Sequence, residues 1–376
     1  MMSELEIHGL VKRFGTQVII DGLSFHVKED EFFVLVGPSG GGKTTLLRLI
    51  CGLEQPDRGR IMLRRHDITD LTPRQRNIGM IFQDYGLYPH MDVYNNIAYG
   101  LEVRGFRRDE IARRVRTAVE TLEIAPLIRR SITTLSGGEQ QRVALARVLV
   151  KDANIYLYDE PLANLDPKLR QRARRDIIKI HRAKGRPTIY VTHDLAEAFA
   201  LGDRVAVIAN QRLQQIGTPE QLINTPENLF VARFAGTPPM NLFPAQLHWS
   251  DGKYTAWSGT FSLPLSQRWT RYLKHYDYPD VIVGLKPAAL VPEWLFEQVE
   301  SAPLTVVAAE VLTIEPLFAE VVMTVKIGAQ TELTSVFQES EGWLPRVGEI
   351  IQFGIYDQSL CLFDPTTEKA LKPWFD

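Results

Sequence analysis

Phe32-Phe33-Val34-Leu35-Val36-Gly37-Pro38-Ser39-Gly40-Gly41-Gly42-Lys43-Thr44-Thr45 runs from an apolar pentad through a glycine-rich loop into a helical pattern. Its five leading apolar residues read as a buried strand, and Thr44 to about Cys51 reads as a helix. Between them, Gly37 to Thr44 matches GxxxxGK[ST] at every fixed position. Glycines let the backbone curl so that successive N–H groups point at one anion. The helix that follows adds the positive end of its dipole. Lys43 supplies a point charge for terminal phosphates, and Thr44 offers a hydroxyl to Mg2+. Gly37, Pro38, Ser39, Gly40, Gly41, Gly42, Lys43, Thr44 and Thr45 are therefore the candidate phosphate-binding residues. The plainer reading is a Gly-rich turn between strand and helix. It would require strand, loop and helix to agree by chance.

Working outward, Ile155–Tyr158 and Thr188–Val191 read as two more buried strands. Helical spacing runs from about Asp109 through Ile111, Val115, Val119 and Leu122, and again from Ser136 to about Val150. Alternation of strand and helix argues for a mostly parallel sheet covered by helices. Asp159-Glu160 ends the second strand. An aspartate there can hold Mg2+ through water, and the adjacent carboxylate can accept a proton from a water beyond a terminal phosphate. Alone, the pair would be a charged turn; beside the cradle it reads as function. Leu135-Ser136-Gly137-Gly138-Glu139-Gln140-Gln141-Arg142 has two readings. Ser136 and Glu139 form a capping box. Two glycines in a first turn weaken a helix but allow close approach of backbone to a second phosphate contact.

The pattern changes near Thr237-Pro238-Pro239-Met240-Asn241. Beyond it lie short strands, among them Val281–Leu285, Ala319–Val325 and Ile350–Phe353. Val321, Met323, Val325 and Ile327 alternate as on a half-buried strand. The expected organisation is an α/β phosphate-binding domain over 1–236 with a helical insertion, then a small all-β barrel or sandwich over 237–376.

Composition bounds the rest. The chain has 376 residues, enough for two or three domains. Net charge is −2, from 43 basic and 45 acidic side chains, so no whole-protein basic field points to nucleic acid. Cys51 and Cys361 form no CxxC, which fits a reducing compartment rather than a disulfide framework. Met1-Met2-Ser3-Glu4-Leu5-Glu6 lacks the form of a signal peptide. No run of 18 apolar residues occurs, so other subunits are expected to form any membrane path.

Leu135–Arg142 is similar to the LSGG(Q/E)QQR signature of the ABC transporter ATPases, and the resemblance extends to Phe363-Asp364-Pro365. It implies a P-loop nucleotide-binding domain that hydrolyses ATP with Mg2+ in a head-to-tail homodimer. Ser136, Gly137 and Gly138 of one copy would close on ATP held by the other, with Asp166, in Ala163-Asn164-Leu165-Asp166, in the loop that crosses between copies. Phe14 matches the aromatic that stacks on adenine, although a core aromatic in a short N-terminal strand is the plainer alternative. Gln83, in Ile81-Phe82-Gln83-Asp84, matches the glutamine that touches Mg2+ and couples to a membrane subunit. His193 matches the histidine that bonds the γ-phosphate beside Glu160, against the alternative of an ordinary buried histidine. Lys43, Asp159 and His193 each follow a predicted strand, which would bring three strand ends to one sheet edge. The metal-site residues implied are Thr44, Gln83 and Asp159.

The C-terminal part resembles the OB-like regulatory domain of importer ATPases. Gly284-Leu285-Lys286-Pro287 is similar to G-(I/L)-R-P, with Lys286 for arginine and Ala288 where glutamate is common; Glu315-Pro316-Leu317 also matches. Pro239-Met240-Asn241 resembles the sugar-importer branch. The resemblance implies import of a carbohydrate or polyol, with polyamine, sulphate, iron or glycerol phosphate as alternatives. It also implies two membrane permease subunits, an extracytoplasmic solute-binding protein, a regulatory protein at the C-terminal domain and a peripheral place on the cytoplasmic membrane face. A soluble nucleic-acid-associated ABC ATPase is the rival. It would carry paired cassettes or a coiled coil, and the barrel has no basic-aromatic strip for stacking bases.

Overall fold

The computed structural model describes residues 3–163, 165–317, 319–338, 344–356 and 360–372. Met1, Met2 and Asn164 lie outside the described residues. The chain divides into two compact units, Met1–Pro219 and Glu220–Asp376. The boundary expected near residue 236 falls inside the second of these.

In the first unit the elements run β1 (Ser3–Phe14), β2 (Gln17–Lys28), β3 (Phe32–Val36), α1 (Lys43–Cys51), β4 (Arg58–Leu63), β5 (His66–Asp67), α2 (Pro73–Arg76) and β6 (Gly79–Ile81). A helical insertion follows: α3 (Val93–Glu102), α4 (Arg108–Thr121) and α5 (Gly137–Leu149). Then come β7 (Tyr156–Asp159), α6 (Pro167–Lys184), β8 (Thr188–Thr192), α7 (Leu195–Leu201), β9 (Arg204–Ala209) and β10 (Arg212–Gly217). Six strands form one sheet in the order β10-β9-β3-β8-β7-β6. From β9 to β6 its neighbours are parallel; β10 is antiparallel to β9.

Parallel strands covered on both faces read as continuous apolar runs. All five residues of β3 and all five of β8 are buried. Truncating Leu35, fully buried in β3, to Ala would cost about 2–5 kcal/mol. A second, antiparallel sheet, β2-β1-β4-β5, shares a core with α1, to which Leu5, Ile7, Leu46, Leu47, Ile50 and Ile61 contribute. Arg76 is 1% exposed and closes the C-terminal end of α1, donating to the carbonyls of Leu49 at 2.5 Å and Ile50 at 2.8 Å. The same guanidinium donates to the carbonyls of Thr69 and Leu71. Those orphan helix carbonyls would otherwise lack partners.

Two more helices, α8 (Pro219–Asn224) and α9 (Leu229–Phe234), lead into the strands of the second unit. These are β11 (Asn241–Ser250), β12 (Lys253–Trp257), β13 (Ser262–Pro264), β14 (Asp280–Leu285), β15 (Leu290–Pro292), β16 (Thr305–Leu317), β17 (Glu320–Ile327), β18 (Thr331–Gln338), β19 (Ile350–Ile355), β20 (Leu360–Phe363) and β21 (Ala370–Leu371). One helix, α10 (Gln267–Leu273), interrupts them and buries Trp269 and Leu273. They form two antiparallel sheets, β13-β12-β11-β14-β20-β21 and β15-β19-β16-β17-β18. Both sheets feed one core, which gives the barrel-like form expected of an OB-like domain. Val321, Met323, Val325 and Ile327 all point into it.

The side chain of Asn241 joins the sheets: its Nδ2 donates to Thr334 O at 2.8 Å, and its Oδ1 accepts from Thr334 N at 2.7 Å. A Cβ on Gly284 would lie 2.6 Å from Met240 Sδ. Asn241 and Gly284 thus have packing reasons of their own within this unit.

Candidate functional site

The site is built where three neighbouring strands end at one level. Val36 of β3 pairs with Thr192 of β8, and Asp159 of β7 pairs with Val191. The next residues along the chain are Gly37, His193 and Glu160. Parallel pairing thus delivers the phosphate loop, a histidine and two carboxylates to the same carboxyl edge, where open α/β sheets bind ligands.

The loop needs glycine where backbone comes close. At Gly37 a Cβ would sit 2.0 Å from Ile208 O, and at Gly42 (φ 90°) it would sit 2.6 Å from Ile19 O. Gly42 is the N-cap of α1, and no side chain caps that end, so first-turn N–H groups are left for an anion. Lys43 is buried, and its ammonium donates to Gly37 O and Pro38 O, each at 2.9 Å. Burial holds its pKa below the ordinary lysine value, against the opposing pull of Glu160 and Asp159. Pro38, Ser39, Gly40 and Thr44 are exposed; Gly41 and Thr45 are half-buried.

Thr44 Oγ1 donates to Asp159 Oδ1 at 3.0 Å. Asp159 is 3% exposed, and burial raises its pKa. Hydroxyl and carboxylate oxygens 3.0 Å apart suit a hard cation. Among the described residues no group of three or more His, Cys, Asp or Glu forms a metal cage. A cation here would take its remaining ligands from phosphate and water, as Mg2+ does. His193 Nδ1 lies 3.2 Å from Glu160 Oε2. Glu160 has φ 45° and donates its N–H to Val191 O at 3.1 Å.

Lys43, Thr44, Asp159, Glu160 and His193 are thus brought together. Phe14 and Gln83 are exposed, and Ser136 and Asp166 cap their own helices. Phe14 ends β1 at 48% exposure, with Lys12 Nζ 5.1 Å from its ring centre. Gln83 is exposed two residues beyond β6. Ser136 caps α5: its Oγ accepts from Glu139 N at 3.4 Å and its N donates to Glu139 Oε2 at 2.8 Å, which completes the capping box. Gly137 faces open space, whereas a Cβ on Gly138 would lie 2.8 Å from Leu169 Cδ1. Gly138 therefore has a packing reason, and Gly137 is the glycine that leaves room for a ligand. Asp166 caps α6, accepting from Lys168 N and Leu169 N.

Two features escaped sequence reasoning. Beneath His193, the buried Glu197 accepts the hydroxyls of Tyr190 at 3.0 Å and Thr192 at 2.9 Å. Beyond Phe82 and Tyr85 opens a cavity of about 490 Å3, whose lining includes Tyr88, Tyr99, Arg147 and Lys151. Burial, with Arg104 nearby, lowers the Lys151 pKa to about 8.

The ABC transporter family profile matches residues 20–163. Over 380 residues the chain is 40% identical to the trehalose/maltose import ATP-binding protein of Thermococcus litoralis, covering 98% of this chain and 100% of that protein. It is 37% identical over 377 residues to the sn-glycerol-3-phosphate import ATP-binding protein of Ruegeria pomeroyi, covering 98% and 99%. The solved structure of cbiO1 from Clostridium perfringens, described as part of the ABC transporter complex cbiONQ, superimposes with a TM-score of 0.55 at 27% identity. That match covers 59% of this chain and 91% of the other.

Proposed function

The chain belongs to the ABC transporter family as an ATP-hydrolysing importer subunit, and we propose how its residues divide that work. The loop from Gly37 to Thr45 and the Lys43 ammonium hold the β- and γ-phosphates, while Phe14 stacks on adenine. Thr44, Asp159 and Gln83 hold Mg2+, which when bound neutralises charge on the phosphate oxygens. Glu160 accepts the proton of the attacking water. With His193 Nδ1 turned to Glu160 at 3.2 Å, its Nε2 is the ring nitrogen left to face the γ-phosphate. Ser136, Gly137 and Gly138 of a second copy close on the same nucleotide, and Asp166 crosses between the copies.

The observation that carries this reading is the convergence of cradle, Thr44–Asp159 pair and Glu160–His193 pair at three adjacent strand ends. The cavity beside Gln83, with its aromatic and cationic lining, supports a docking place for a membrane subunit. Among the described residues no helix is long and apolar enough to cross a membrane. By analogy with the import ATP-binding relatives, the subunit works peripherally, on the cytoplasmic face, with two permease subunits and an extracytoplasmic binding protein.

For the solute, we favour a carbohydrate or polyol, on the strength of the trehalose/maltose relative. Pro239-Met240-Asn241 adds little, because Asn241 is engaged with Thr334 inside the second unit. Isolation of the full chain from native membranes tests the reading. Co-purifying integral subunits support it, and co-purifying ribosomes or DNA would contradict it.

A further inference from the structure

Arg170 sits in the first turn of α6, and its N–H donates to Asp166 O at 2.9 Å. Its guanidinium reaches in two directions. Nη2 donates to Leu165 O, immediately before Asp166, at 3.3 Å. Nη1 lies 3.7 Å from Asp194 Oδ2, immediately after His193, and Nε lies 3.9 Å from Glu197 Oε1. Nε is buried with no hydrogen-bond partner of its own. Glu197 is 5% exposed, and its other oxygen is taken by Tyr190 and Thr192, the two β8 residues nearest His193 that carry hydroxyls. The Asp194 carboxylate caps α7 by accepting from Glu197 N at 3.1 Å.

Neither helix depends on Arg170 for its start, because Asp166 caps α6 and Asp194 caps α7. What the guanidinium alone does is connect the two turns. A planar guanidinium fixes the directions in which its donors face a carbonyl and two carboxylates; the three rotatable donors of an ammonium do not.

We propose that Arg170 is a positioning residue that ties the Asp166 turn to the His193 turn, so that the segment facing a second copy sets the placement of the hydrolytic histidine. This rests on the roles proposed above for Asp166, His193 and Glu160. Arg170 is not among the residues assigned above to the nucleotide, so its removal should leave ATP binding intact and misplace His193. Misplacement by about 1 Å at a hydrolytic site can lower turnover by roughly a hundredfold.

The test is steady-state hydrolysis by the full chain carrying Arg170→Met, Arg170→Lys, Glu197→Gln, the double change Arg170→Met/Glu197→Gln, or Glu160→Gln. Arg170→Met should lower kcat by roughly ten- to a hundredfold while KM and ATP affinity stay at parental values. Arg170→Lys, keeping charge but not the fork, should recover only part of that loss. The double change should lose no more than Arg170→Met, because residues of one network are not additive. A parental kcat in Arg170→Met overturns the proposal, as does a fall in kcat matched by equal losses of ATP affinity and thermal stability. If Arg170→Met does not fold, Arg170→Lys decides: lowered kcat at unchanged KM supports the proposal, and parental kcat overturns it. Glu160→Gln separates the layers. If it retains turnover, the underlying reading of the site fails. If it loses turnover while Arg170→Met does not, the present inference alone fails.

Discussion

His193 Nδ1 lies 3.2 Å from Glu160 Oε2, so the two residues proposed for hydrolysis form one bonded unit. Glu160 adopts φ 45°, in the left-handed region that costs a non-glycine residue of order 1–3 kcal/mol. The surroundings impose this backbone: its N–H is held by Val191 O at 3.1 Å and its neighbour Asp159 by Thr44 Oγ1 at 3.0 Å. A carboxylate held on strained backbone and bonded to a histidine fits the proton-accepting role proposed for Glu160.

Lys43→Ala removes the one buried ammonium in the cradle. Affinity for ATP should fall, because a charge-assisted contact to phosphate is worth about 1.5–3 kcal/mol, roughly 10- to 100-fold. Titration with a fluorescent ATP analogue checks this. Parental affinity and turnover would remove the phosphate assignment.

Ser136→Arg places a long cation at the exposed cap of α5. Losing the cap should cost about 1 kcal/mol, which leaves the monomer folded. ATP-dependent dimers should disappear, and hydrolysis with them. Normal dimerisation by light scattering would refute the contact across copies.

Residues 1–241 hold the whole β10-β9-β3-β8-β7-β6 sheet, its covering helices and the strand-end site, so a chain lacking residues 242–376 should fold and bind ATP. Part of the intrinsic hydrolysis should survive. A truncated chain with no cooperative thermal transition would place the domain boundary elsewhere.

Much of the first unit is legible in local sequence. GxxxxGK[ST] lies between a strand and a helix, and Asp159 and His193 follow runs of buried residues, so pattern and position agree. What escapes is held by contacts distant along the chain. Asn241 and Thr334 are 93 residues apart, and neither carries a periodic signal. Arg76 looks like one more basic residue in a polar turn, yet it is buried against the carbonyl end of α1. The antiparallel β2-β1-β4-β5 sheet is likewise hard to read, because its strands mix exposed and buried positions across several bulges. Glycine at 138 was readable as a ligand contact; only the fold reveals Leu169 behind it.

The solute is open to a direct assay. In proteoliposomes carrying the permease subunits, ATP hydrolysis should rise when a sugar-loaded binding protein is added. Stimulation by a glycerol-phosphate-, polyamine- or metal-loaded protein alone would reassign the substrate.

Single-turnover hydrolysis by Glu160→Gln isolates the role of this carboxylate in the chemical step. The substitution keeps shape and hydrogen bonding to His193 but removes the proton acceptor. ATP affinity should stay near parental, and the chemical step should slow by roughly two to four orders of magnitude, the contribution of a general base. A dimer holding two ATP molecules should then accumulate and elute early in size-exclusion chromatography. Hydrolysis near the parental rate, or loss of ATP binding in its place, would contradict the role of Glu160 and with it this account of the site.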